Sequence, residues 1–409
     1  MGYVQDMGRK AFERNWVADF LAVLLRRREF LHVLIGARQT GKTTAAEQVI
    51  GKWRGPVISG SADMPLMPGP EWVETQWFRA RQAAKPPNRR PVLLVLDEVQ
   101  KVRGWSESVK RLWDEDGRSR TSIRVLLLGS SSLLVQKGLT ESLAGRFFLH
   151  RSAHWSHPEC RAAFGWSLDE WIFYGGYPGA ARLLPDEESW RRYVADALVE
   201  TAIARDVLQM QTVAKPGLLR NLFGLSSQNP ARILSYNKML GTLQDAGNTV
   251  TLAHYLKLLG AAFLVSGLDR VSGRKRMRAS SPKIVLWNNA LVTAMSGMTY
   301  RETRADPAEW GWLVENAAGA HLLNALHTPR FSVGYWRDGN DEIDYVVSAG
   351  KKMTGIEIKS GRPGRLSGME SFRRRFPAAR TLLVGSGGIS LEEFFHANPM
   401  DFLDFNRHG

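Results

Sequence analysis

The chain has 409 residues, too many for one typical domain, and its 44% apolar content is enough for ordinary globular cores in two or three. No apolar run approaches the ~20 residues that span a bilayer, the charge-studded stretch from Met1 to Arg28 does not read as a signal peptide, and a single cysteine, Cys160, excludes an intramolecular disulfide framework or a Cys-rich zinc site. A cytoplasmic protein with no membrane partner is expected, and a formal charge of +15, from 55 basic against 40 acidic residues, favours polyanions, nucleic acid above all.

Over the first ~155 residues, strands and helices alternate in the manner of an α/β domain with a parallel sheet. Phe30 to Ile35 is a short apolar strand, and Val57 to Ser59, Val92 to Leu96, Val125 to Leu128 and Phe147 to Leu149 are further candidates. Helices are expected between them, among them Thr43 to Trp53 and Trp105 to Trp113.

Directly after the first strand, Gly36-Ala37-Arg38-Gln39-Thr40-Gly41-Lys42-Thr43 matches G-x-x-x-x-G-K-[ST] and opens a helix, the context a phosphate-binding P-loop requires. Its glycines let backbone N–H groups face phosphate oxygens, and the helix N-terminus adds partial positive charge. Lys42 would reach the β- and γ-phosphates of ATP and the Thr43 hydroxyl would ligate Mg²⁺, with Thr44 counted among the binding residues. The strand beginning at Pro91 ends in Asp97-Glu98: Asp97 would hold the magnesium shell and Glu98 would polarise the attacking water. The strand from Arg124 to Gly129 runs into Ser130, a candidate γ-phosphate sensor, while Ser131 and Ser132 after it equally read as a Ser-rich turn that caps the next helix. Arg146, just before the next strand, is a candidate arginine finger for a neighbouring subunit, against the alternative of an ordinary surface arginine.

From Ser167 to about Phe223 the pattern is helical, interrupted by a Gly-Gly-Tyr-Pro turn at Gly175 to Pro178. Leu218 to Trp287 reads as a three-helix unit followed by a basic hairpin, with Ser235 to Leu243 and Thr249 to Leu259 as its clearest helices and Asn248 or Thr249 as a cap. Arg270, Arg274, Lys275, Arg276, Arg278 and Lys283 would line a basic wing that contacts DNA phosphates; a solvated charge run is the alternative. Trp312 to Leu326 is a helix, followed by strand-like runs at Ser332 to Trp336, Glu342 to Val347, Thr354 to Lys359 and Thr381 to Val384. Glu357 and Lys359, two apart in a strand, face the same side.

Several separated stretches resemble one family in its order: Gly36 to Thr43, Leu96-Asp-Glu-Val-Gln-Lys101 with Trp105, Gly129-Ser-Ser-Ser-Leu-Leu134, Leu143-Ala-Gly-Arg146, Gly175 to Pro178 and Ser281-Pro-Lys-Ile-Val-Leu286. The family is the bacterial and archaeal AAA-type ATPases with a C-terminal restriction-endonuclease-like domain. The resemblance implies an α/β fold class with four parts: a P-loop ATPase core over 1–155, a helical lid over 156–217, a winged-helix segment over 218–300 and a PD-(D/E)xK nuclease-like domain over 301–409. Glu315 on a helix, Asp344 in a strand, then Glu357 and Lys359 resemble that nuclease pattern, in which Asp344, Glu357 and Glu315 would bind Mg²⁺ and Lys359 would activate water. Asn288 departs from the family, where an aspartate commonly follows this strand. The expected function is ATP-driven work on branched or structured DNA by a homo-oligomer, with a hexamer as the form suggested by analogy. A nucleotide-controlled signalling or defence switch, to which the Gly-Gly-Tyr-Pro turn also points, and an ATP-regulated nuclease are the alternatives.

Overall fold

The structure is a computed structural model that describes residues 12–26, 28–85, 90–129, 139, 141–208, 213–244, 247–272, 281–361 and 366–403, with 275–277 described in backbone only. Two compact units divide it, Met1–Ser152 and Ala153–Gly409.

In the first unit five strands form one parallel sheet in the order β2-β3-β4-β1-β5. They are β1 (Leu31–Gly36), β2 (Val57–Ser61), β3 (Val92–Asp97), β4 (Ile123–Gly129) and β5 (Phe147–Ser152). All five were legible as apolar runs. Burial on both faces explains the near-continuous apolar sequence of β1, β3 and β4. Because side chains alternate, Val33, Leu94 and Val125 meet Val73 and Trp77 of α3 (Glu71–Ala83) and Val109 and Leu112 of α4 (Trp105–Ser119). Leu34, Leu93, Val95 and Leu126 meet Phe20 of α1 (Trp16–Leu24) and Ala45 and Val49 of α2 (Lys42–Lys52) on the opposite face. The result is a three-layer α/β sandwich whose strands all point their C-terminal ends to one edge, where ligands of such sheets bind. At the β1–β5 seam, His32 Nδ1 and His150 Nε2 lie 3.0 Å apart, and burial pushes both rings down to about 4.

The second unit opens with two short helices whose starts are fixed by capping boxes, Ser156 with Glu159 and Ser167 with Glu170. The Gly-Gly-Tyr-Pro turn follows the second. Gly175 adopts φ +69°, and a Cβ there would lie 1.9 Å from Asn288 Oδ1; a Cβ on Gly176 would lie 2.1 Å from the Trp155 carbonyl oxygen. Both glycines are therefore required by close approach. Farther on, α5 (Pro216–Ser227), α6 (Tyr236–Thr242) and α7 (Thr249–Ala261) pack together, with Asn248 Oδ1 accepting from Thr251 N–H at 2.9 Å to cap α7.

A β-hairpin follows: β6 (Val265–Leu268) pairs antiparallel with β9 (Lys283–Leu286), and beyond them β7 (Arg270–Ser272) pairs with β8 (Lys275–Met277). A bridge from Ile233 to Lys283 adds the segment before α6 to this ribbon. The outer part of the hairpin also joins a larger sheet of order β13-β12-β11-β10-β7-β8 through Arg270 and Tyr335. Its other strands are β10 (Ser332–Asp338), β11 (Asp341–Ala349), β12 (Lys352–Lys359) and β13 (Arg380–Gly385). The sheet therefore runs across the boundary expected at residue 300. It carries helix α8 (Pro307–Ala325) and, over the Trp336–Ile343–Val346 cluster, helix α9 (Ser367–Arg375) through Met369 and Phe372.

Candidate functional site

The loop between β1 and α2 turns sharply, with Gln39 at φ +59° and Gly41 at φ +84° just before Lys42 begins the helix. The buried Lys42 ammonium donates to the carbonyls of Gly36 at 3.0 Å and Ala37 at 2.6 Å, curled over the loop that precedes it. Thr40 Oγ1 donates to the Ala37 carbonyl at 2.9 Å and lies 3.3 Å from Ser152 Oγ. Arg14, 5% exposed, locks this side: its Nη1 donates to the Thr40 carbonyl at 3.3 Å and to Ser152 Oγ at 3.1 Å. Neither Arg14 nor Ser152 was foreseen; both act on the loop from a distance in sequence that no local pattern records. Thr43 is exposed and Thr44 half-buried at the start of α2, while Arg38 and Gly41 are half-buried in the loop.

β4 lies between β1 and β3, and the register places Ile35 beside Gly129 and Leu127 beside Leu96. Asp97 ends β3. Its Oδ1 accepts from the Glu98 N–H at 2.9 Å. Burial and then the neighbouring Glu98 charge push its carboxyl up, against the Glu98 N–H, Lys42 and Lys101, which pull it down. Glu98 takes a left-handed backbone, φ +52°, a conformation that costs a non-glycine residue on the order of 1 kcal/mol or more and clusters at working sites. Its Oε2 accepts from Gln100 Nε2 at 2.7 Å and faces Lys101 Nζ at 3.6 Å, and Lys101 also pairs with Asp63 at 2.6 Å. The hydroxyl of Thr43 and the carboxylate of Asp97 are hard oxygen donors, a set that fits Mg²⁺. Ser130 lies outside the described residues.

Arg146 is held within its own chain. Its Nε donates to Asp114 Oδ1 at 2.9 Å and Nη2 to Asp114 Oδ2 at 3.0 Å, a parallel two-bond grip from α4.

Of the wing residues, Arg274 and Arg278 lie outside the described residues, as do the side chains of Lys275 and Arg276; Arg270 is half-buried in β7. Lys283 is a correction. It is fully buried and therefore is not presented to a phosphate backbone. β9 carries its ammonium among carboxylates, 2.6 Å from Glu315 Oε1, 3.2 Å from Glu342 Oε1 and 3.5 Å from Asp344 Oδ1, with the Tyr345 ring centroid at 5.1 Å. Burial of a lone ammonium is prohibitive, and these three acids are what make it possible.

The C-terminal acids thus come together, but around a lysine. Asp344 Oδ2 accepts from the Ile358 N–H at 2.8 Å, so both its oxygens are engaged. Lys359 Nζ stands 2.6 Å from Glu357 Oε1, and Glu357 Oε2 is buried with no hydrogen-bond partner. Burial, then the Asp344 charge, pushes Glu315 up to about 8 and Glu357 up to about 7. Glu342, absent from the expected set, is the acid that sequence reasoning missed. Among the described residues no group of three or more His, Cys, Asp or Glu side chains is arranged to hold a metal ion. Lys283 stands against the Glu315 and Asp344 oxygens that the resemblance would give to a divalent ion, so the set does not fit that ion with the lysine in place.

Asn288 has a structural task. Its Oδ1 accepts from the N–H groups of Gly176 and Ala290, both at 3.1 Å, which fastens the Gly-Gly-Tyr-Pro turn to the end of β9. Asn289 continues the net to the carbonyls of Ile172 and Leu313 and to Asn316.

Residues 28–160 match the AAA domain family. Residues 165–302 and 310–400 match two domains of unknown function, DUF8612 and DUF4143. Over 351 residues the chain is 21% identical to an uncharacterized protein of Haemophilus influenzae, covering 81% of this chain and 82% of that one. Its fold is similar to that of a Walker-type ATPase of Pyrococcus abyssi, at a TM-score of 0.50 and 12% identity, over 69% of this chain and 95% of the other. An Aeropyrum pernix Orc1 protein solved in complex with DNA superposes at a TM-score of only 0.28 with 15% identity, over 68% and 91% of the two chains, too loosely to inform the fold. The sheet, the P-loop and the AAA match together make the first unit an AAA-type P-loop ATPase domain by fold. No helix among the described residues is long and apolar enough to cross a membrane.

Proposed function

We propose that this chain hydrolyses ATP to ADP and phosphate with Mg²⁺ and uses the cycle to act on DNA, branched or otherwise structured. The observation that carries the ATPase half is the meeting of Lys42 and the Asp97–Glu98 pair at the same edge of the sheet, close enough for Lys42 to pull on the Asp97 carboxyl.

The N–H groups of Gly36 to Thr43 would cradle the phosphates, and Lys42 would leave its loop carbonyls for the β- and γ-phosphate oxygens. Thr43 and Asp97 would hold Mg²⁺, which neutralises phosphate charge when bound. Glu98, steadied by Gln100 and Lys101, would take the proton from the attacking water. Ser130 would report the γ-phosphate. Arg146 would reach the site of a neighbouring copy once released by Asp114, which makes the working form a homo-oligomer.

The DNA half is supported by the +15 charge and by the three helices α5–α7 followed by a basic hairpin, an arrangement that resembles a winged helix. Arg270, Arg274, Lys275, Arg276 and Arg278 would meet phosphates from that hairpin. Cleavage by Glu315, Asp344, Glu357 and Lys359 is not part of this reading, because Lys283 fills the acid cluster.

The ATPase half is tested by phosphate release and nucleotide binding in two variants. Glu98→Gln is expected to bind ATP and lose about 10²–10⁴ in kcat, the usual worth of a general base. Lys42→Ala is expected to lose ATP binding itself. Wild-type turnover in Glu98→Gln would overturn the assignment.

A further inference from the structure

We infer that Lys283 is a built-in counter-cation: it takes the place of a divalent metal in the C-terminal acidic cluster and fastens the basic hairpin to the sheet behind it. The inference rests on reading Glu315, Asp344, Glu357 and Lys359 as a nuclease-like set and is independent of the ATPase reading.

The chemistry of one ammonium carries the argument. An ammonium has three N–H donors and no acceptor. Glu315, Glu342 and Asp344 offer it three carboxylates, from helix α8 and from strand β11, at 2.6, 3.2 and 3.5 Å. The side chain is fully buried, so its charge is balanced chiefly by these acids. A Mg²⁺ or Mn²⁺ ion drawing on Glu315 Oε1 and Asp344 Oδ1 would need oxygens at about 2.1 Å that already face the ammonium. Two cations of total charge +3 would then crowd the same few oxygens, and their repulsion opposes joint occupation. Occupation by Lys283 and by a divalent ion is mutually exclusive.

A second observation marks the cavity as a cation site and not a mere cluster of acids. Glu357 is 7% exposed, senses both Asp344 and Lys283, and leaves Oε2 buried with no partner. That is an unused oxygen within the electrostatic reach of Lys283. The lysine also comes from the right element. β9 is the return strand of the hairpin that carries Arg270 to Arg278, so the cluster clamps the base of that hairpin to α8 and β11.

Mn²⁺ binding to the nucleotide-free full chain, followed by electron paramagnetic resonance, tests this. Every protein carries Asp97→Asn to silence the P-loop ion. With Lys283 present, no Asp344-dependent Mn²⁺ site is expected up to millimolar ion. Lys283→Met is expected to gain one site at least about tenfold tighter, lost again on adding Asp344→Asn. Because three unbalanced, partly buried carboxylates threaten folding, Lys283→Met/Glu342→Gln is measured alongside: it restores the wild-type charge balance and keeps Glu315, Asp344 and Glu357. An Asp344-dependent site with Lys283 in place would overturn the lysine's role and leave the nuclease-like reading standing. A folded Lys283 variant, single or double, that gains no site would overturn both.

Discussion

Arg146 and Asp114 are joined by two parallel bonds, 2.9 and 3.0 Å long, that tie the C-terminal half of α4 to the entry to β5. Both side chains are about one-third exposed, so the pair is accessible to a competing anion. Exposed pairs of this kind contribute little to stability.

If Arg146 completes a neighbour's site, Arg146→Ala is expected to lower kcat by about 10³-fold or more while ATP affinity holds. Asp114→Ala, which frees the guanidinium, is expected to keep or raise the rate, with turnover per subunit rising with protein concentration. Steady-state kinetics over a concentration series checks both. Equal loss in the two variants would mean a purely structural pair.

The hairpin gives a prediction in salt. Replacing Arg274, Lys275, Arg276 and Arg278 together by Ser is expected to flatten the plot of log affinity against log salt by roughly 3 to 4, since each phosphate contact adds about 0.9 to the slope for duplex DNA. Fluorescence anisotropy between low and moderate salt checks it. An unchanged slope would mean that the run is solvated charge.

His32 and His150 make the first unit acid-sensitive. Both rings titrate near 4 in the folded chain, below the ordinary value of 6.5, because burial disfavours the imidazolium. A depressed folded value means that protons favour the unfolded chain. Stability is therefore unaffected above pH 6.5 and falls as pH drops from 6.5 to 4, with an upper bound on the order of 3 kcal/mol per ring. Thermal melts across that window check the slope, and His32→Gln is expected to reduce it.

Much of the first unit was legible because its signals are local. Apolar runs of strand length gave all five strands, and a glycine-rich turn between strand and helix gave Lys42 and Thr43. What was not legible is which distant segments touch. Arg14 reaches Ser152 across 138 positions, and Lys283 reaches Glu342 across 59. Strand periodicity says which way a side chain faces but not which strand it will meet. Two signals were nevertheless present. Lys283 is a lone charge inside Pro282-Lys-Ile-Val-Leu286, where an apolar strand implies burial and hence acidic partners. Glu342 stands two before Asp344, so the alternation that aligned Glu357 with Lys359 also puts those acids on one face. Asn288, which reads as a lost acid, keeps the acceptor oxygen that the Gly175–Gly176 turn needs.

The central claim is that the energy released at Lys42 and Glu98 is used on DNA. It is tested most directly by the ATPase rate of the full chain without DNA and with single-stranded, duplex and four-way DNA, with Glu98→Gln as the control. The account predicts stimulation by DNA, strongest with the four-way form, weakened by salt and absent in Glu98→Gln. A wild-type rate indifferent to every form of DNA would contradict it and leave a nucleotide-controlled switch as the better description.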